Sequence, residues 1–233
     1  MNKQITKYEI LKVIVGSQAH GTATPKSDFD YRGVFIVPTS EILKLGGHTE
    51  QTNWIEGKED NTSWEIGHFL NMATHCNPTV LETFLAPDVD LGEAAYTQGL
   101  HLIGEELTAL FPYIWNSNDV KNAFVGYGIN QRKKFLDNKD DREAKYASAY
   151  LRVLYQAWEL LSTGTFSVSM KDTKIFNTLL RFRNEEYTRG EVIQTCFEWE
   201  TNVLKAFKAN PDKKTNVEPV NEFLLKVRKE FWI

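Results

Sequence analysis

The sequence predicts an α+β protein, with a β-rich N-terminal part and a mainly helical remainder. Two observations support this class. Short runs of β-branched and aromatic residues, separated by glycines, dominate residues 8–65 and are typical of strands. From Ile66 onwards, apolar residues recur three and four positions apart, as they do in amphipathic helices. The change of pattern predicts two units, residues 1–90 and residues 91–233.

The first predicted strand, residues 8–15, ends in the β-branched run Val13, Ile14 and Val15. Gly16 follows this strand and lets the backbone approach a ligand closely, and Ser17 adds a hydroxyl beside exposed N–H groups. A Gly-Ser turn at the end of a buried strand therefore predicts a site for phosphate oxygens.

Two carboxylates follow this turn after a ten-residue spacer. Asp28, Phe29 and Asp30 are predicted to lie on a strand that continues through residues 33–37. Because side chains alternate across a strand, both carboxylates project from one face while Phe29 packs on the other. A hard cation such as Mg²⁺ relieves the repulsion between them. The Gly-Ser turn and the carboxylates together predict a metal and phosphate site at one edge of a sheet.

The segment of residues 16–34 resembles the active-site segment of the DNA polymerase β-type nucleotidyltransferases. Within that superfamily it is most similar to the predicted nucleotidyltransferases associated with RNA repair pathways. The resemblance implies a mixed sheet flanked by helices, two Mg²⁺ ions with Mn²⁺ as a substitute, and an NTP as nucleotidyl donor. It makes Gly16, Ser17, Lys26 and Ser27 candidates for nucleotide contact.

The superfamily pattern includes a third carboxylate on a later strand. Asp60 stands at the beginning of a predicted strand that ends near Glu65, and we favour it as the third catalytic and metal-binding residue beside Asp28 and Asp30. Glu65 is the alternative metal ligand, although a residue at the start of the following helix can instead interact with the helix dipole. Glu59 is a further candidate.

Two predicted helices of the second half carry candidate phosphate ligands. On residues 120–136, Tyr127, Gln131 and Lys134 share one face, which predicts either contact with a triphosphate or nucleic acid, or an ordinary solvated surface. On residues 143–162, Lys145 and Arg152 lie two helical turns apart. The family resemblance extends to this helix and supports Arg152 as a phosphate ligand, whereas its position alone favours a surface ion pair.

The remaining predicted helices carry few candidate functional residues. Short helices between residues 91 and 119 are expected to break near Gly104 and near Phe111-Pro112. Two more helices are expected within residues 172–207, before a final helix over residues 218–231. Arg181 and Arg183 are expected to pair with neighbouring acids, with acceptor binding as the alternative.

Composition sets outer limits on function. The 233 residues, 42% of them hydrophobic, are enough for a sizeable core, and a net charge of −4 means that any nucleic-acid binding needs a local basic patch. Cys76 and Cys196 lack metal-ligand spacing, and no disulfide is expected. No secretory leader or apolar run of about 20 residues is present, which predicts a cytoplasmic protein without a membrane partner.

The first functional hypothesis is a metal-dependent nucleotidyltransferase, which transfers an NMP from an NTP to an acceptor hydroxyl and releases pyrophosphate. The resemblance favours an RNA 3′ end as acceptor, and a protein or small-molecule hydroxyl stays open. The second hypothesis is a nucleotide-binding regulatory or antitoxin-like protein of the same fold. Intact Asp28 and Asp30 argue against that second hypothesis, while the unassigned third carboxylate keeps it open.

Overall fold

The fold is α+β, as the sequence predicts. The computed structural model describes residues 8–25, 27–45, 52–55, 61–139 and 141–233. Within these residues four strands form one mixed sheet near the N-terminus, and most of the remainder is helical. The strands are β1 (Glu9–Val15), β2 (Asp30–Phe35), β3 (Thr52–Ile55) and β4 (Asn61–Glu65).

The helices of the described residues are numbered in chain order. They are α1 (Gly16–His20), α2 (Thr39–Leu43), α3 (Ile66–Thr74), α4 (Pro78–Thr83), α5 (Glu93–Thr97), α6 (Leu100–Thr108), α7 (Phe111–Ile114), α8 (Ser117–Asp137), α9 (Glu143–Thr163), α10 (Phe176–Arg183), α11 (Arg189–Ala209) and α12 (Val217–Glu230).

The sheet register brings the predicted site residues to one end of the strands. The strand order is β1-β2-β4-β3, with β2 antiparallel to β1 and parallel to β4. Val15, the last residue of β1, pairs with Asp30, the first residue of β2. Asn61, the first residue of β4, pairs with Tyr31 on the other side of β2. The end of β1 and the beginnings of β2 and β4 therefore meet at the same edge.

The second strand begins two residues later than predicted. Asp28 and Phe29 lie in the loop before β2, because pairing with β1 starts only where Val15 meets Asp30. Phe29 is 45% exposed and stacks on Tyr31 with ring centroids 6.4 Å apart. The expectation that Phe29 packs on the opposite face of a strand is therefore wrong, although both carboxylates stay at this edge.

The free edge of β1 is covered by residues from the helical part. The backbone N–H of Ile14 donates to the carbonyl of Pro87 at 3.0 Å, and the N–H of Val89 donates to the carbonyl of Lys12 at 2.8 Å. Helix α6 packs on the same strand and runs unbroken through Gly104. The predicted break near Gly104 is wrong, because this glycine serves close packing: a Cβ there would lie 2.1 Å from the Ile10 carbonyl oxygen.

Helices α8 and α9 form the centre of the helical part, close to their predicted bounds. Asn116 caps α8 by accepting a hydrogen bond from the N–H of Asp119 at 2.8 Å, and Gly164 ends α9 with a φ of +87°. A Cβ on Gly128 would lie 3.3 Å from the Tyr150 ring. This close contact between the two helices fixes the position of the α8 face that carries the predicted ligands.

One hydrophobic cluster extends from Tyr8 to Phe231 and includes residues on both sides of position 90. The C-terminal helix α12 returns to the sheet end of the molecule, where Arg228 forms a 2.7 Å ion pair with Glu65. The division into units 1–90 and 91–233 stays a prediction, and the two units share this core. Cys76 and Cys196 are buried free thiols. None of the helices described has the length and apolar character needed to cross a bilayer.

Two helical glycines give a matched test of the α6–β1 packing. We expect Gly104→Ala to lower the free energy of unfolding by about 2 kcal/mol, because its methyl group overlaps backbone that cannot rotate away. Gly126→Ala in α8 meets no atom of the described residues within 4 Å and is expected to stay within about 1 kcal/mol of the wild type, on the stabilising side. Urea unfolding measures both, and equal stabilities of the two variants would contradict the packing described.

Candidate active-site cleft

A cleft of about 470 Å³ lies between the sheet edge and the helical part. The sheet side contributes the predicted residues Gly16, Ser17, Ser27, Asp28 and Asp30. The helical side contributes Tyr127, Gln131, Arg142, Lys145, Tyr146, Arg152 and Arg183. Residues predicted separately on the two halves of the chain therefore line the same cavity.

Gly16 has two reasons to be glycine. It follows β1 directly and begins the short helix α1, so the predicted Gly-Ser turn is the first turn of a helix. Its φ is +68°, a left-handed value that side chains disfavour, and a Cβ on it would lie 2.2 Å from Oδ2 of Asp30. The bare backbone therefore lets the Asp30 carboxylate lie directly against the start of α1.

The loop between α1 and β2 is ordered by its own polar groups. The Ser27 hydroxyl accepts a hydrogen bond from the Thr24 N–H at 2.8 Å, and Gln18 Nε2 donates to the Ser27 carbonyl at 3.3 Å. These bonds precede Asp28, which is exposed and lines the cleft. Ser27 therefore lines the cleft with its hydroxyl already engaged within the loop. Lys26 lies outside the described residues.

The opposite wall of the cleft is basic. Arg142, at the N-cap of α9, and Lys145 and Arg152 recur along one helix face, and Arg183 joins them from α10. In the part of the chain that the structure describes, Arg142, Lys145 and Arg183 form no ion pair with a carboxylate. Several cations without acidic partners thus face the same cavity as Asp28 and Asp30, an arrangement suited to a polyanion.

Two members of this wall differ from the sequence-based expectation. Arg181 pairs with Glu191 at 2.8 Å, as expected, but Arg183 lines the cleft instead of pairing with an acid in the described residues, and acceptor binding, the alternative for it, stays a prediction. Arg142 is a residue that sequence reasoning missed. Its spacing of three residues from Lys145 and ten from Arg152 matches one face of a helix, and this signal was present in the sequence.

A buried carboxylate connects the two walls. Glu82 of α4 contacts His20 Nε2 at the end of α1, and it lies 3.3 Å from Nη1 of Arg152. The same Arg152 nitrogen donates to Gln156 at 2.9 Å, and Gln156 in turn donates to the Ser167 carbonyl at 3.1 Å. Arg152 is therefore fixed in the cleft by a buried ion pair, so the expected surface pair is wrong and the side chain is positioned at the site.

The protonation states of Glu82 and His20 follow from their surroundings. Burial opposes charge on Glu82, but His20 and Arg152 outweigh burial and hold the pKa of Glu82 at about 2. Burial, followed by the charge of Arg152, lowers the pKa of His20 despite the neighbouring carboxylate. Near pH 7, Glu82 is thus ionised and His20 is neutral, with its Nε2–H donated to Glu82.

Of the three ligands predicted on α8, two line the cleft and one does not. Gln131 is only 7% exposed and lines the cleft together with Tyr127, one turn earlier. Lys134 does not line this cleft. It borders a shallower depression beside it, and its Nζ lies 5.5 Å from the Tyr146 ring centroid. The shared face predicted for the three residues therefore places Lys134 one turn away from the site.

The structure places the alternative metal ligand Glu65 away from the two aspartates. Glu65 pairs in register with Phe35, at the opposite end of β2 from Asp30. It accepts a hydrogen bond from the Gly67 N–H at 2.7 Å as the N-cap of α3, and it binds Arg228. This is a structural role, which corrects the proposal of Glu65 as a ligand. Asp60 lies outside the described residues.

The donor set of the cleft fits a hard divalent cation. Among residues 8–25, 27–45, 52–55, 61–139 and 141–233, no three or more His, Cys, Asp or Glu side chains form a metal-binding group. Asp28 and Asp30 nevertheless line one wall, with Asp30 held against the glycine backbone. Mg²⁺ is often bound by one or two carboxylates, with substrate phosphates and waters completing its shell. The two aspartates match that mode of binding.

A known protein family matches most of the chain. Residues 3–226 match the RNA repair pathway DNA polymerase beta family. The chain belongs to this family. The description of the RNA repair pathway DNA polymerase beta family points to a polymerase-β-like nucleotidyltransferase connected with RNA repair, the resemblance that residues 16–34 indicated.

A curated relative is also similar to part of the chain. It is an uncharacterized 38.9 kDa protein of Enterobacteria phage T4, encoded in the nrdC-mobD intergenic region, and it is 27% identical over 86 residues. The match covers 34% of the present chain and 26% of the phage protein. The chain thus corresponds to a minor share of that relative's length.

The buried pair predicts a pH-dependent stability difference. Glu82→Gln leaves Arg152 buried without its carboxylate, and we expect it to lower the free energy of unfolding by about 3 kcal/mol at pH 7. Since the folded pKa of Glu82 is about 2 against an ordinary value of 4.5, its stabilising effect is complete above pH 4.5 and is lost as pH falls towards 2. The deficit of Glu82→Gln should therefore shrink below pH 4.5.

Urea unfolding at pH 7, 4.5 and 3.5 measures this deficit in the free energy of unfolding. We expect it to be about 3 kcal/mol at pH 7 and smaller at pH 3.5. Glu191→Gln, which breaks the exposed pair with Arg181, is the control and should cost less than about 1 kcal/mol. A Glu82→Gln deficit that stays constant down to pH 3.5 would show that the carboxylate is not held ionised by its neighbours.

Proposed function

We propose that the protein is a metal-dependent nucleotidyltransferase that transfers an NMP from an NTP to an acceptor hydroxyl and releases pyrophosphate. One observation carries this proposal: a single cleft has Asp28 and Asp30 on one wall and, on the other, Arg142, Lys145 and Arg183, which form no ion pair within the described residues. A metal-bound triphosphate needs both, because carboxylates hold the cation while basic side chains neutralise the phosphate oxygens. Membership of the family supports the same reaction class.

The basic wall would bind the β- and γ-phosphates of the donor. Arg142 and Lys145 approach from α9 and Arg183 from α10, so their charges reach the triphosphate from different directions. Cations held in place before reaction stabilise the charge that develops on departing pyrophosphate without reorganisation. Arg152 is oriented by Glu82 and would contribute a fixed charge beside them. The Ser17 hydroxyl and backbone N–H would bind remaining phosphate oxygens.

Asp28 and Asp30 would hold Mg²⁺, or Mn²⁺ in its place. When bound, such ions polarise the α-phosphate and lower the pKa of the attacking hydroxyl. The chain's own contribution is position: the loop hydrogen bonds of Ser27 set the approach to Asp28, and Gly16 sets the location of Asp30. An in-line attack by the acceptor then breaks the bond between the α- and β-phosphates, and pyrophosphate leaves towards the basic wall.

We propose Asp60 as the third carboxylate, which accepts the proton of the acceptor hydroxyl. In the sequence it directly precedes Asn61, the residue whose backbone pairs with Tyr31 next to Asp30. Glu65 is already engaged by Arg228 and the α3 N-terminus, which leaves Asp60 as the preferred candidate.

The acceptor we favour is an RNA 3′ end, supported by the family description, with a protein or small-molecule hydroxyl as alternatives. A reaction that consumes cellular NTP suits the cytoplasmic location that the sequence predicts. The regulatory alternative keeps the same nucleotide site without turnover, and the experiment below distinguishes it.

The test compares label transfer from each α-labelled NTP to RNA, DNA and protein acceptors in Mg²⁺ or Mn²⁺. We expect the double variant Asp28→Asn, Asp30→Asn to lose about 10²-fold or more of the transfer rate, because the metal supplies several kcal/mol of transition-state stabilisation. Asp212→Asn, a change of the same kind in an exposed loop, should leave the rate unchanged. Undiminished transfer by the double variant would reject the metal site.

Two further variants assign the third carboxylate in the same assay. Asp60→Asn should abolish transfer while keeping the wild-type free energy of unfolding. Glu65→Gln should lower the free energy of unfolding, because it weakens the pair with Arg228, while the folded variant keeps its transfer activity. The opposite pattern would exclude Asp60. If NTP binds but no acceptor is labelled under any condition, the transferase is rejected in favour of the regulatory protein.

A further inference from the structure

The Gln131 side chain is a buried polar group that lines the cleft. Gln131 is 7% exposed, and it lies where the cleft meets the depression that Lys134 borders. Across the described residues, its side chain makes no hydrogen bond to the protein. A buried amide is normally satisfied by a protein partner. A buried amide that lines a cavity without such a partner is suited to hydrogen-bonding a ligand there.

The surroundings of Gln131 differ from the rest of the cleft. Tyr127 lies one turn earlier on the same face of α8, and Tyr146 approaches from α9. The close contact of Gly128 with Tyr150 and Leu154 holds this part of α8 firmly against α9. The amide is therefore held in a cavity that two aromatic side chains also line, an environment that suits a flat ring.

The lining of the cleft includes both cations and neutral side chains. The cations Arg142, Lys145 and Arg183 supply what phosphate oxygens need, and a neutral amide adds little to them. The Gln131 amide is therefore better suited to the uncharged end of a nucleotide than to the triphosphate that its helix face predicts.

We propose that Gln131 reads the nucleobase of the donor nucleotide, and that this base is adenine. This inference rests on the proposed function and adds a base subsite to it. A glutamine amide offers one donor and one acceptor side by side, and among the bases its characteristic bidentate partner is adenine, through the N6 amino group and a ring nitrogen. The Tyr127 and Tyr146 rings provide apolar surface for the purine.

The test is direct binding, which needs no acceptor and no turnover. Isothermal titration with Mg²⁺ compares the α,β-methylene analogues of ATP, GTP, CTP, UTP and purine riboside triphosphate, which lacks only the N6 amino group of ATP. We expect the wild type to bind the ATP analogue about tenfold or more tightly than the purine riboside analogue. Gln131→Met, similar in length but without hydrogen-bonding groups, should bind both equally.

Gln194→Met is the matched control, since it makes the same change on the exposed face of α11 and should keep the wild-type ratio. Urea unfolding confirms that both variants are folded. A Gln131→Met protein that still discriminates tenfold would overturn the inference while leaving the transferase intact. A wild type that prefers another base would overturn the adenine assignment. A wild type that binds no nucleotide would reject the proposed function as well.

A second experiment distinguishes the base of the donor nucleotide from the terminal base of an RNA acceptor. Fluorescence anisotropy with a labelled oligoadenylate measures acceptor binding by the same variants. If Gln131→Met weakens only the ATP analogue, the donor assignment stands. If it weakens only the oligoadenylate, the subsite belongs to the terminal base of the acceptor and the donor assignment is overturned.

Discussion

The buried carboxylate of Glu82 is the interaction on which the cleft depends. It joins His20, at the end of the helix that begins with the Gly-Ser pair, to Arg152 in the middle of α9. A carboxylate buried without partners would be strongly unfavourable, so Glu82 requires both neighbours to be in place. The arrangement that satisfies it also sets the basic face of α9 opposite Asp28 and Asp30. Stability and site geometry are therefore linked through a residue that does not line the cleft.

Close backbone packing provides the second constraint. Gly16 permits Asp30 to lie against the start of α1, and Gly104 permits α6 to lie against β1, while Gly128 brings α8 onto α9. At Gly16 and Gly128 a methyl group would separate elements that line the cavity, whereas at Gly104 it would separate α6 from the opposite part of β1. The carboxylate edge and the basic wall thus have fixed positions before any ligand binds, which lowers the cost of organising charges around a triphosphate.

Sequence reasoning placed residues at the cleft where the pattern is local in the chain, and their roles stay predictions. The Gly-Ser pair and Asp28 and Asp30 lie within a few residues of strand ends, whereas Arg152 was supported by the family resemblance and not by its helical position. Arg183 was assigned to a surface pair because nothing in the sequence shows that α10 packs beside α9. Glu65 was left open as a ligand because its partner Arg228 is 163 positions away in the sequence and joins it only through the packing of α12. Long-range packing decides such roles, and a local pattern does not contain it.

We expect a metal-bound triphosphate to lie between the sheet edge and the basic face of α9. The decisive measurement is a crystal structure with Mg²⁺ and a non-hydrolysable nucleoside triphosphate. It should show metal bound to Asp28 and Asp30, and β- and γ-phosphates in contact with Arg142, Lys145 or Arg183. A nucleotide bound elsewhere, or phosphates directed away from α9, would contradict it.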